Sequence, residues 1–148
     1  MQNESIFVLL ADDDEDDRLF FSDAFEELKM KTVVKTVNDG EELMKYLSSS
    51  ENRLPHVLFL DINMPRKNGL ECLKEIRSNQ ELRDLSIAMY STSSSEKDIE
   101  ETFIQGANIY INKPSDFGEL KRVLTEVLSI NWQYHTSGLN RDNFLLRI

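Results

Sequence analysis

Five times along this chain a strand-length apolar run is followed by a helix-length amphipathic segment, and few folds accommodate that rhythm. Ile6 to Ala11 reads as a buried strand. A helix follows from about Glu15 to Met30, with Leu19, Phe20, Ala24 and Leu28 at helical spacing. Thr32 to Val37 is a β-branched strand, and Asp39 to Ser49 a second helix with Leu43, Tyr46 and Leu47 on one face. His56 to Leu60 is a third strand; after a Pro- and Gly-punctuated loop, Leu70, Leu73 and Ile76 mark a third helix. Ser86 to Tyr90 and Asn108 to Ile111 supply the last two strands, followed by helices from Glu96 to Gln105 and from about Phe117 to Leu128. This alternation implies an α/β fold: a doubly wound, five-stranded parallel sheet with helices on both faces. Its crossovers are right-handed, and polar residues at the carboxyl ends of its strands gather in one crevice, where ligands bind.

The 148 residues suit one compact domain. No apolar run approaches the ~20 residues needed to span a bilayer. The opening MQNESIFVLL lacks the basic region of a signal peptide, so a cytoplasmic protein without membrane contact is expected. With 27 acidic and 17 basic residues the formal charge is −10, a surface that repels phosphate backbones; no direct nucleic-acid partner is expected. Cys72 is the only cysteine, which excludes an internal disulfide and a multi-cysteine zinc site; its setting among helix formers suits packing.

The crevice rule turns the strand ends into a list. The first strand ends in Asp12-Asp13-Asp14, and the third in Asp61, followed by Asn63, Met64 and Pro65. The fourth ends in Ser91-Thr92 and the fifth in Lys113-Pro114. Carboxylates packed together raise one another's pKa unless a cation neutralises them. Mg²⁺ is the natural choice, since it prefers one or two carboxylates completed by waters and phosphate oxygens. A carboxylate beside Mg²⁺ can attack phosphorus and form an aspartyl phosphate, with a lysine and a hydroxyl stabilising the developing charge. Plainer roles fit the surrounding residues. Asp14 to Asp17 suit a helix N-terminus, and Ser93 to Ser95 suit the cap of the fourth helix. Asp12, Asp14 and Asp16 alternate as in a calcium loop, but Asp17 stands where that loop needs Gly and Asp23 where it needs Glu. His56 and His135 lack partners at ligand spacing, and Tyr110 is half-buried core by default.

The segments VLLADDDEDD, LFLDINMPRKNGLE, IAMYSTSSSEKDI and GANIYINKPSDFGEL resemble the receiver domain of two-component response regulators. The serine run and the NFLLRI ending are most similar to small single-domain regulators, including those paired with bacterial phytochromes. The resemblance implies a strand order of 2-1-3-4-5 and a receiver domain over residues 5–129. In the tail over 130–148, Trp132, Tyr134, Phe144, Leu145 and Leu146 are too many apolar groups for a purely solvated extension, so it is expected to pack on the domain or at an interface. It implies that Asp61 is the phosphoacceptor and that Asp13 binds Mg²⁺ directly, with Asp12 acting through a water and Asn63 through its backbone carbonyl. Mn²⁺ is the alternative ion. Lys113 would pair with Asp61 and then with the phosphoryl group. Ser91, beside Thr92, would be the switch hydroxyl that Tyr110 follows, and the Lys113–Pro114 bond would be cis. The expected donor is a sensor histidine kinase, phytochrome-like ones included, or a histidine phosphotransfer protein. Output would run through protein contacts such as a homodimer, because no output domain follows the fifth helix. A phosphohydrolase would want a second Asp two residues after Asp61, where Asn63 stands. A phosphorylation-independent binding module would not need the complete site.

Overall fold

The computed structural model describes residues 5–129 and the backbone of Leu145–Leu146. The elements are β1 (Ile6–Ala11), α1 (Glu15–Glu26), β2 (Thr32–Val37), α2 (Gly40–Ser48), β3 (Val57–Leu60), α3 (Gly69–Ser78), β4 (Ile87–Ser91), α4 (Glu96–Ile104), β5 (Ile109–Asn112), α5 (Phe117–Ser129) and β6 (Leu145–Leu146). The strands lie in the order β2-β1-β3-β4-β5-β6, every neighbouring pair parallel. The first five are the 2-1-3-4-5 sheet that the sequence and its resemblance imply.

Covering both faces explains why the central strands read as continuous apolar runs. All four residues of β3 are buried. Leu58 and Leu60 point into a core with Leu43, Leu47, Leu73, Ile76 and Ile99 from α2, α3 and α4. Val57 and Phe59 point the other way, against Phe21, Phe25, Leu120 and Leu124 of α1 and α5. Each such side chain contributes about 1.5–3 kcal/mol when fully buried. Phe21 is the hub of the second core, its ring 5.0 Å from those of Phe25 and Phe59 and 5.4 Å from that of Tyr90. The edge strand β2 alternates instead, with Val33 and Lys35 exposed.

Side-chain caps start all five helices, α5 through Asp116, which accepts from Glu119 N. Asp14 accepts from Asp17 N, Asp39 from Glu42 N, Ser95 from Asp98 N, and Asn68 forms a reciprocal capping box with Glu71. These caps aim the amino ends of α1, α2 and α3 at the carboxyl end of the sheet.

The structure departs from the sequence reading in two elements. Helix α1 stops at Glu26 rather than near Met30, because the chain tightens there into bonds from Glu27 N to Ala24 O and from Leu28 N to Phe25 O. Leu28 still packs on the core, from the turn instead of the helix. The sheet also gains a sixth strand: Leu145 pairs with Tyr110 and Leu146 with Ile111, so backbone from the tail covers the edge of β5 that a five-stranded sheet leaves open. Trp132, Tyr134 and Phe144, which the sequence reading also singled out, lie outside the described residues. Among the described residues no helix is long and apolar enough to cross a membrane.

Candidate functional site

The parallel register of β1 and β3 sets Ala11 beside Leu60, so the acids that follow them emerge side by side. Asp61 N donates to Ala11 O at 3.0 Å and Asp12 N to Val37 O at 3.1 Å, which fixes both backbones. Asp12 is completely buried and Asp61 is 5% exposed, whereas Asp13 is open to solvent. One carboxylate oxygen from each of Asp12, Asp13 and Asp61 lies within 4.8 Å of the others. Asp12 Oδ1 accepts from Asp14 N at 3.0 Å, and Asp61 Oδ1 accepts from Asn63 N at 3.4 Å.

Lys113 enters this cluster from the end of β5, its own N–H held by Ser91 O at 2.8 Å. Its Nζ lies 2.8 Å from Asp12 Oδ2, 2.9 Å from Asp17 Oδ2 and 3.2 Å from Asp61 Oδ2. Apart from this ion pair with Lys113, Asp12 Oδ2 has no hydrogen-bond donor, the one buried side-chain oxygen among the described residues so placed. An orphaned oxygen among three carboxylates is a donor set that fits a hard divalent cation. The Lys113–Pro114 bond, expected to be cis, is trans. The trans isomer of an X–Pro bond is favoured by about 0.5–1 kcal/mol, and Lys113 reaches the acids from that backbone, so the contact demands no cis bond.

Burial drives the electrostatics. Desolvation pushes Asp61 up to about 6; Lys113 opposes the rise and the like charge of Asp12 adds to it. Burial also raises Asp12, against the pull of Lys113 and Asp14 N. For Lys113, burial works to lower the pKa, but Asp12, Asp61 and Asp17 outweigh it and hold the ammonium above its ordinary value. The folded state therefore carries Asp61 as an anion above about pH 6 at a cost that the unfolded chain does not bear. Asp61→Asn is expected to stabilise the metal-free protein by about 2 kcal/mol at pH 7.5. That gain should fade toward pH 4, where the wild-type carboxyl is protonated in the folded state as well. Urea melts in chelator at both pH values check it; an Asn variant no more stable at pH 7.5 would refute the burial cost.

Ser91 is completely buried, and its Oγ accepts from Ser93 N at 3.1 Å, while Thr92 is exposed. Tyr110 is fully inside, its hydroxyl donating to Ser93 O at 2.8 Å, so the tyrosine is tied to the loop that follows Ser91. Ser93 in turn donates to Asp98 Oδ2 at 2.6 Å on α4. Two contributors were not assigned to the site from sequence, where Asp17 was read as part of a helix N-terminus. Arg18 Nη1 donates to Asp12 O at 2.8 Å, and Asp17 joins Lys113. Their position in the first turn of a helix that starts beside the crevice was the available signal.

The sequence profile of the response regulator receiver domain matches residues 8–125. The chain belongs to this family. Its receiver is 31% identical over 121 residues to a chemotaxis protein CheY homolog of Campylobacter jejuni, covering 82% of this chain and 91% of that protein. Among solved structures it is similar to the phosphorylated cyanobacterial phytochrome response regulator RcpA, with a TM-score of 0.77 and 29% identity over 84% of this chain and 91% of that one. It is also similar to a CheX–CheY complex with BeF₃ and Mg²⁺ from Borrelia burgdorferi, with a TM-score of 0.68 and 26% identity over 84% of this chain and 90% of that one. Receiver domains are signalling domains of two-component systems, and the acid cluster of this one is consistent with Mg²⁺ binding.

Proposed function

We propose that this receiver accepts a phosphoryl group on Asp61 from a phosphohistidine donor, a sensor histidine kinase or a histidine phosphotransfer protein. The carrying observation is the meeting of three strand ends: Lys113 Nζ from β5 within 3.2 Å of both Asp12 from β1 and Asp61 from β3. Asp61 would attack phosphorus while the phosphorus–nitrogen bond breaks and its electron pair leaves on the imidazole, which takes a proton from water. Asp13 and Asp61 would hold Mg²⁺ or Mn²⁺, with Asp12 acting through a water and Asn63 through its backbone carbonyl; the ion would neutralise the charge that gathers on the phosphoryl oxygens. Lys113 then pairs with a phosphoryl oxygen. The Ser91 hydroxyl moves toward another, while exposed Thr92 flanks the entry. The RcpA and CheY likenesses support this reading, the first a phosphorylated protein and the second a complex with BeF₃ and Mg²⁺.

The phosphoryl group adds about −1.5 to −2 charge at the crevice. Drawing Ser91 inward pulls on the Ser93 contacts to Tyr110 and Asp98, so the change reaches α4 and β5. Output is then a protein contact on that face: a homodimer, a downstream partner, or phosphorelay. Residues 5–129 would form the receiver and 130–148 a tail packed on the domain or at an interface; the pairing of Leu145 and Leu146 with β5 supports the first of these. The phytochrome-linked relatives favour a phytochrome-like kinase, and the CheY-like relatives a cytoplasmic setting.

Incubation with acetyl phosphate and Mg²⁺ tests this directly. Intact mass should rise by one phosphoryl group, and the gain should vanish in Asp61→Asn and in excess chelator. No gain from acetyl phosphate or phosphoramidate would defeat the acceptor assignment.

A further inference from the structure

Lys113 is shared with an acid that phosphoryl acceptance does not require. Asp17 stands in the first turn of α1, where its backbone N–H is already satisfied by Asp14 Oδ1 at 3.1 Å. Acids in that turn ordinarily act on the helix's own amides and dipole. Asp17 reaches out of the helix instead, its Oδ2 2.9 Å from Lys113 Nζ on β5, 96 positions away in sequence. The Lys113 side chain is 8% exposed, so its ammonium has little room for water and divides itself among Asp12, Asp17 and Asp61. A phosphoryl group arriving on Asp61 needs that same ammonium. Of its three holders, Asp12 and Asp61 are buried while the Asp17 side chain is 39% exposed, so Asp17 is the one that water can solvate once released.

We propose that Asp17 is a positioning residue that holds the Lys113 ammonium on the α1 side of the crevice and competes with the phosphoryl group for it. The proposal rests on the phosphoacceptor reading and adds to it: the first turn of α1 sets how freely Lys113 passes from the resting acids to the phosphoryl oxygens. Asp16 provides the control. It is exposed, carries the same charge one residue earlier, and has no ion pair to Lys113.

The test compares wild type, Asp17→Asn, Asp16→Asn and Asp17→Glu in saturating Mg²⁺ at fixed ionic strength. Calorimetry gives the affinity for beryllofluoride, a phosphoryl mimic, and intact mass follows phosphoryl uptake from acetyl phosphate. Asp17→Asn should bind beryllofluoride about threefold to fivefold more tightly and take up phosphoryl faster by a similar factor, the scale of one partly exposed ion pair. Asp16→Asn should stay near wild type, since an exposed charge that touches nothing is largely screened. Asp17→Glu, which keeps a carboxylate within reach, should return toward wild type. A purely structural role for Asp17 would shift the melting temperature and leave the affinity alone. Asp17→Asn binding no more tightly than Asp16→Asn overturns the proposal and leaves the acceptor reading intact. A wild-type protein that takes neither beryllofluoride nor a phosphoryl group overturns both.

Discussion

Lys113→Met should destabilise the metal-free protein by about 3–5 kcal/mol at pH 7.5, the cost of removing one partner from a buried ion pair. Lys113 is the only cation paired with the carboxylates of Asp12 and Asp61 among the described residues, and both acids are buried. Without it Asp12 Oδ2 loses its one nearby positive charge, and the two carboxylates face each other uncompensated. Asp61, already pushed up to about 6, would rise further because the influence that lowers it most is gone. A carboxyl whose folded pKa exceeds its unfolded value favours the fold at low pH and loses that advantage as pH climbs through the folded value. The deficit of Lys113→Met should therefore be largest above about pH 7 and shrink toward pH 4 as the acids take up protons. Saturating Mg²⁺ should restore part of the loss by linkage, since the cation binds the folded state alone. Urea melts across pH, with and without Mg²⁺, check this. A loss below about 1 kcal/mol at pH 7.5, or one independent of pH, would show that the acids do not depend on the ammonium. The sign is opposite to that for Asp61→Asn, so the pair of variants separates charge balance from packing.

Most of the fold is legible because its physics is local. A strand covered on both faces has no polar side to show, hence the unbroken run Val57–Leu60. Asp14, Asp39, Asn68 and Ser95 announce helix starts because an Asx or Ser side chain satisfies a free amide there. The site was legible for the same reason: in an open parallel sheet, a strand's last residue has only one crevice to enter. What the sequence concealed depends on tertiary contact. Leu28 keeps helical spacing beyond the end of α1, so periodicity alone carries the helix too far. A pairing as short as β6 leaves no periodic trace in NFLLRI. The reach of Asp17 to Lys113 requires knowing that the helix after β1 meets the end of β5 across β3 and β4.

Gly69→Ala should be a strongly destabilising single-methyl change, and its cost also falls on Asp61. Gly69 opens α3, and its N–H donates to Ile62 O at 2.8 Å, which folds the loop after Asp61 back against the helix start. A Cβ at this position would sit inside the van der Waals spheres of the Asp61 carbonyl and of Ile62 Cα. Those atoms are backbone, so no side chain can turn aside to make room. Gly40, at the start of α2, meets the Lys67 carbonyl in the same way, so two helix starts press on the loop from Asp61 to Gly69 with no room for a methyl. Overpacking usually costs about 1–3 kcal/mol. Against an unyielding backbone we expect about 3 kcal/mol or more, which for a chain of this size lowers the melting temperature by roughly 10 °C. Relief can come only by moving Asp61 or α3, and Asp61 Oδ2 already lies 3.2 Å from Lys113 Nζ. Folded Gly69→Ala at low temperature should consequently take up phosphoryl from acetyl phosphate about tenfold more slowly, the rate equivalent of a 1.4 kcal/mol loss in transition-state stabilisation. A variant within about 1 kcal/mol of wild type in stability would show that the loop yields after all. Normal uptake by a destabilised variant would place the strain in α3 rather than at Asp61.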